Sequence, residues 1–147
     1  MVAAGIAAEL DRMVESARDR LLAMGEDDAA RRPAAESWAK KEILGHLIDS
    51  AANNHQRFVR LQAASGLVFP SYQQNDWVRI QHYAARPWRD LVELWLAYNR
   101  HLAHVMRHTD AEAASHIWKS PAGDRNLSFV MDDYMSHLRH HLDQILS

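Results

Sequence analysis

Residues 38–64, WAKKEILGHLIDSAANNHQRFVRLQAA, set the architecture of the chain. Apolar side chains recur at helical spacing through Ile43, Leu47, Ala51, Phe58 and Leu61, so one face of a long helix is dry. A second line runs beside that stripe: His46, Asp49 or Ser50, Asn53 and Arg57, stepping by three and four. A polar row flanking the core side of a long helix reads as the lining of a bundle cavity. Ser37 is placed to cap the helix, and Gly66 and Pro70 to stop the segment.

Three further segments carry the same period, and none alternates as a strand would. The first covers residues 3–24, with Ile6, Leu10, Met13, Val14, Ala17 and Leu21 on one face and Gly25 as its stop. The third helix covers residues 87–108 and opens at Pro87, which suits a first helical position; its core face is Trp88, Leu91, Trp95, Leu102 and Val105. The fourth covers residues 128–146, with Ser128 as cap and Tyr134, Leu138, Leu142 and Ile145 inward. The expectation is an all-α domain over residues 1–147, a four-helix bundle without a sheet. Residues 65–86 join helices two and three and hold a short helix near 75–83; a connection of that length permits a crossover. The connection before helix four contains a turn at residues 121–123.

Composition narrows the function classes. A chain of 147 residues makes one core, and 48% apolar with 24% charged residues excludes a disordered polyelectrolyte. The net charge is −2 with no long run of either sign, so the basic footprint of nucleic-acid binding is missing. No apolar run approaches the roughly 20 residues of a membrane span, and residues 1–13 carry no basic leader, which predicts a soluble, cytoplasmic protein without a membrane partner. Cysteine is absent, which removes disulfides, thiolate ligands and a cysteine nucleophile.

Histidine, by contrast, occurs 10 times. Two histidines four apart on a helix can share one ion, and His104/His108 and His137/His141 both have that spacing. At about 100° per residue His104 points away from the apolar face of its helix, whereas His137 and His141 lie on the margin of theirs. His46, on the polar row of helix two, completes a set of three.

The segments WAKKEILGHLIDSAANNHQRF and YMSHLRHHLDQI together resemble the DinB-like superfamily of four-helix metal-binding proteins. The resemblance rests on Trp38, the stretch from Gly45 to Ser50, then Asn53, Arg57 and Phe58, on Tyr72 and Trp77, and on the His137–His141 run. It is nearest to the branch of bacillithiol S-transferases and metal-dependent hydrolases. It implies one divalent metal ion on His46, His137 and His141, zinc first and nickel as the alternative, in a bundle that commonly forms a homodimer. His55 and Gln56 depart from the pattern, where relatives carry more apolar side chains.

Three imidazoles leave an open coordination position, the arrangement of a catalytic ion. Such an ion lowers the pKa of a bound water to about 7 or binds a thiol as thiolate. The first chemistry gives a hydrolase, the second a transferase joining a low-molecular-weight thiol to an electrophilic small molecule; a non-catalytic metal-binding module is a third possibility. Gln144 and Asp133, each one turn from a ligand on helix four, are candidates to orient the ligands. Asp49, Ser50, Asn53 and Arg57 would line the pocket, and Tyr72 and Trp77 would close it. Imidazoles of ordinary pKa would release the ion below about pH 6.5.

Overall fold

The computed structural model describes residues 2–147. In chain order it contains α1 (Val2–Ala23), α2 (Glu26–Ala30), α3 (Lys40–Ala63), α4 (Gln74–Ile80), a 3-10 turn (Tyr83–Ala85), α5 (Trp88–Arg107), α6 (Ala111–Ala114), β1 (Ile117–Ser120), β2 (Gly123–Asn126) and α7 (Leu127–Leu146). The four long helices are those the periodicity marked out. Their apolar stripes meet in one core, with Leu10, Leu21, Leu44, Phe58, Leu61, Trp95 and Met131 fully buried.

Around the bundle α1 packs on α5 and α7, and α3 packs on the same two. Side-chain pairs give the directions. Glu15 meets Arg100, Asp11 meets Arg107, and the Trp88 indole donates to the Leu21 carbonyl, so α1 and α5 are antiparallel. Glu9 meets Arg139 and Arg20 meets the Leu146 carbonyl, so α1 and α7 run parallel. His46 faces His137 and His141 while Phe58 faces Tyr134, so α3 and α7 are antiparallel. It follows that the neighbours α3 and α5 are parallel. Parallel neighbours need a connection that returns the length of the helix, about 36 Å for α3, and residues 64–87 provide it. The expected crossover between the second and third long helices is present.

That crossover is pinned to α3 at Gly45. The Tyr83 ring lies where a Gly45 side chain would be, its nearest atom 2.2 Å from an ideal Cβ position. The Tyr83 hydroxyl donates to Asp49 Oδ1 at 2.6 Å, and Gln81 Nε2 donates to the same oxygen at 2.8 Å. A glycine inside a helix costs up to about 1 kcal/mol relative to alanine, and here close packing requires it.

Several local expectations are corrected. The caps fall elsewhere: Ala39, not Ser37, precedes α3, and its N–H is taken by the Glu42 carboxylate at 3.1 Å. Arg32 holds that carboxylate with two bonds of 2.9 Å. Asn126, not Ser128, caps α7 by accepting from the Phe129 N–H at 2.8 Å. Pro87 stands just outside α5, and Gly25 at φ −73° opens α2 instead of closing α1 in a left-handed turn. A sheet does form: β1 and β2 make an antiparallel hairpin around the expected turn, where Gly123 takes φ +115°. Leu67 joins the hairpin edge, with the Lys119 N–H donating to its carbonyl at 2.8 Å.

Gly45→Ala is expected to destabilise the fold by about 1–3 kcal/mol, the usual range for forcing a methyl into a filled core, despite alanine's better helix propensity. Chemical denaturation checks this, and a midpoint equal to or above that of the parent chain would refute the close approach of Tyr83.

Candidate metal centre

His46 lies in the second turn of α3 and is 1% exposed. His137 and His141 project from successive turns of α7 and are half-buried. The antiparallel crossing of α3 and α7 brings the three rings together, with centroid separations of 5.0, 4.9 and 4.6 Å. One ligand nitrogen from each lies within 4.8 Å of the others, and no other group of three metal-ligating side chains is this close among the described residues. The Nε2 atoms of His46 and His137 stand 3.1 Å apart. Two nitrogens on one tetrahedral ion, each about 2.05 Å from it, would be about 3.3 Å apart. The donor set therefore fits a divalent ion.

The tautomer of His141 is set by its neighbour. Its Nδ1 is 2.9 Å from Gln144 Oε1, an oxygen that only accepts, so Nδ1 carries the proton and Nε2 keeps its lone pair. Gln144 thus stands where a ligand-orienting group belongs. Asp133 does not: it is exposed and makes no hydrogen bond to His137, although its charge acts on that ring. His46 is held by packing. The Trp38 ring lies 5.1 Å from it, and His46 Nδ1 is buried without a partner. Burial, with the charges His137 and His141 would carry, pushes the His46 pKa down to about 4. Burial and then His141 lower His137 as well, against a partial opposing effect of Asp133. The value of about 6.5 expected of an ordinary imidazole does not hold for these two.

A cleft of 510 Å³ opens beside the rings, with Trp38, Asn75, His141 and Gln144 among its walls. A second cavity of 380 Å³ shares Glu36, Ser37, Trp38 and Asn75 with it and reaches Arg79 and Tyr83. The polar row of α3 lines neither of these two spaces. Asp49 is 2% exposed; burial raises its pKa against the hydrogen bonds from Tyr83 and Gln81, and its Oδ2 has no partner. Ser50 is buried with Asn54 Nδ2 3.3 Å from its hydroxyl, and Asn53 donates to the Asp49 carbonyl. Tyr72 is close enough for the charges of Asp49 and Arg57 to act on its phenol. Trp77 leans on Tyr72 at 5.1 Å but otherwise borders a surface hollow with Ile80 and Gln81 and lines neither space near the rings. His104 and His108 are exposed, 4.4 Å apart, on the outer face of α5.

Trp38, Tyr83, Gln81 and Asn75 shape the site without having been read as part of it. Trp38 stood in the sequence only as part of the family resemblance, and Tyr83 left an indirect trace: an isolated glycine one residue before His46 marks a close approach by something.

Residues 9–145 match the family model of the DinB superfamily, and the chain belongs to that family. No curated protein matches it by sequence. Among solved structures it is similar to YfiT from Bacillus subtilis, a probable metal-dependent hydrolase with an unusual four-helix bundle topology; the TM-score is 0.80 at 15% identity, over 97% of this chain and 81% of that one. It is also similar to a mycothiol-dependent maleylpyruvate isomerase, with TM-score 0.75 at 14% identity over 97% of this chain. The chain spans 60% of the isomerase's length. At these identities the likeness establishes the fold.

His46→Ala, His137→Ala and His141→Ala are each expected to abolish tight zinc binding in equilibrium dialysis, while His104→Ala retains it. Gln144→Ala should weaken binding by about 10–100-fold, the typical cost of losing a ligand-orienting partner. Loss of the ion in the His104 variant would overturn the assignment.

The metal-free fold should lose stability as pH falls from about 6.5 towards 4. In that window unfolded histidines take up protons that the folded His46 refuses, so the unfolded state gains. Urea midpoints across the window measure this, and His46→Leu should flatten the slope. A midpoint independent of pH in the parent chain would contradict the lowered His46 value.

Proposed function

We propose that this chain is a metal-dependent enzyme that transfers a low-molecular-weight thiol to an electrophilic small molecule. The observation that carries the reading is the set of three imidazoles converging at the edge of a 510 Å³ cleft, with His141 in both the cluster and the cleft wall. A divalent ion on this set, zinc by the chemistry of three nitrogen donors, lowers the pKa of a thiol or water that binds to it and so supplies a nucleophile near neutral pH.

The chain's own residues account for the rest. Gln144 fixes the His141 tautomer, and Trp38 packs against His46, so neither ligand has to reorganise. The shared wall of Trp38 and Asn75 shapes the entrance for two co-substrates side by side. Asp49, Ser50, Asn53 and Arg57 carry polar groups along α3, with Tyr72 of the returning segment near them, suited to a hydrophilic thiol. No cysteine competes as a nucleophile or ligand. The likeness in fold to a mycothiol-dependent isomerase supports thiol chemistry. The likeness to YfiT, a probable metal-dependent hydrolase, favours the second reading, in which water replaces the thiol. As part of the same proposal, two copies of the chain form the working unit, in the cytoplasm.

The two readings separate in the cobalt-substituted protein. Thiol transfer predicts a new sulfur-to-cobalt absorption band on adding thiol, a rate that saturates in thiol, and loss of turnover with chelator. Turnover of an ester or amide without thiol, and no such band with any thiol tried, would select the hydrolase.

A further inference from the structure

Arg57 stands about three turns beyond His46 on α3, roughly 16 Å along the helix axis. It is half-buried, yet no carboxylate lies within ion-pair distance of it, unlike Arg32, Arg100 or Arg107. Its one hydrogen bond is long, Nη1 to Asn54 Oδ1 at 3.4 Å, and its Cζ lies over the Trp118 ring, 4.6 Å from the centroid. Burial lowers its pKa, and only the more distant charges of Tyr72 and Asp133 oppose this. Stacking on an indole orients a guanidinium without using its N–H fork. Arg57 lines a cavity of 150 Å³ together with Asn53, Gln56, Arg60, Phe69 and Pro70. Arg60, a second guanidinium, also lacks a carboxylate partner there. The cavity shares no lining residue with the two spaces near the imidazoles, but polar groups stand between them: the charges of Asp49 and Arg57 both reach Tyr72, and the charge of Asp133 reaches both Arg57 and His137.

A desolvated, oriented and unpaired guanidinium at the mouth of a small cavity is a receptor for an anion. We propose that this cavity is an anion subsite in which Arg57, with Arg60 and Asn53, takes a carboxylate at the far end of the molecule whose reacting atom lies at the three imidazoles. The assignment of that molecule rests on the function proposed above; the subsite itself does not. It restricts the ligand to an elongated one with a carboxylate well removed from its reactive group, since a compact ligand cannot span the separation.

The test uses the full chain and succinate as probe, followed by isothermal titration calorimetry, with and without zinc. Saturable binding with similar affinity in both forms is expected. Arg57→Gln should lose at least tenfold, Arg57→Lys should fall between because it keeps the charge but not the fork, and Arg60→Gln should lose two- to threefold. Circular dichroism establishes that each variant is folded, and Arg57→Lys preserves the test if Arg57→Gln is not. Unchanged affinity in both Arg57 variants would overturn the subsite. Binding only with zinc present would also overturn it, by placing the anion at the imidazoles. Tighter binding of inorganic phosphate than of succinate would overturn the choice of carboxylate. Zinc-independent binding that needs Arg57, in a protein with no thiol-transfer activity, would uphold the subsite and reject the reaction.

Discussion

Three imidazoles held within contact distance in a half-buried crossing cannot all be charged. Burial and the neighbouring rings raise the cost of protonating His46 and His137. The cluster is therefore stable as neutral rings sharing protons, or around a cation that replaces them. His46 shows the constraint most sharply: it is the deepest ring, and its pKa is driven down to about 4. The structure places His46 where α3 and α7 cross in opposite directions, and that crossing follows from the up-down-down-up order of the bundle. With α3 and α5 parallel, the chain must travel back along α3 before α5 begins. The returning segment lays Tyr83 on Gly45 and Gln81 on Asp49, beside the rings. Site and topology are one arrangement: an up-down order with short loops would leave this end of α3 without that cover.

Periodicity was enough to find the four long helices and to choose between two histidine pairs of identical spacing. The two pairs differ because a helix turns by a fixed angle per residue: His137 and His141 keep company with Leu138 and Leu142 and meet His46, while His104 points away from Leu102. Beyond the crossover that the long second connection allowed, which helices are neighbours was not legible, because it depends on ion pairs such as Asp11–Arg107 and Glu9–Arg139 between residues far apart in the chain. The hairpin was missed for a related reason. Strands of four residues, IWKS and GDRN, are too short to show alternation, and their third partner, Leu67, comes from another connection. Ser37 and Ser128 were reasonable caps by type. Each was passed over for a nearby residue whose position was fixed by tertiary contacts, Glu42 with Arg32 in one case and Asn126 at the end of the hairpin in the other. Trp38 and Asn75 reach the cleft from outside the long helices, where no periodic signal exists.

The charge around the site explains why an anion should be drawn to it. Three neutral donors add no negative charge, so a divalent ion on them would keep its full charge within the protein. The nearby carboxylates do little to offset it. Asp49 is buried with a raised pKa, its hydrogen bonds spent on Tyr83 and Gln81, and Asp133 is exposed to solvent that screens it. Within the proposed function this surplus favours ligands that arrive as anions or lose a proton on binding, a thiol among them. Arg57 extends the same preference along α3 to the other end of the molecule, where stacking on Trp118 holds the guanidinium ready. A ligand with a deprotonating group at one end and a carboxylate at the other would meet a positive partner at both. A neutral or cationic molecule of the same length would desolvate Arg57 without pairing it, and that unpaired charge would be the basis of discrimination.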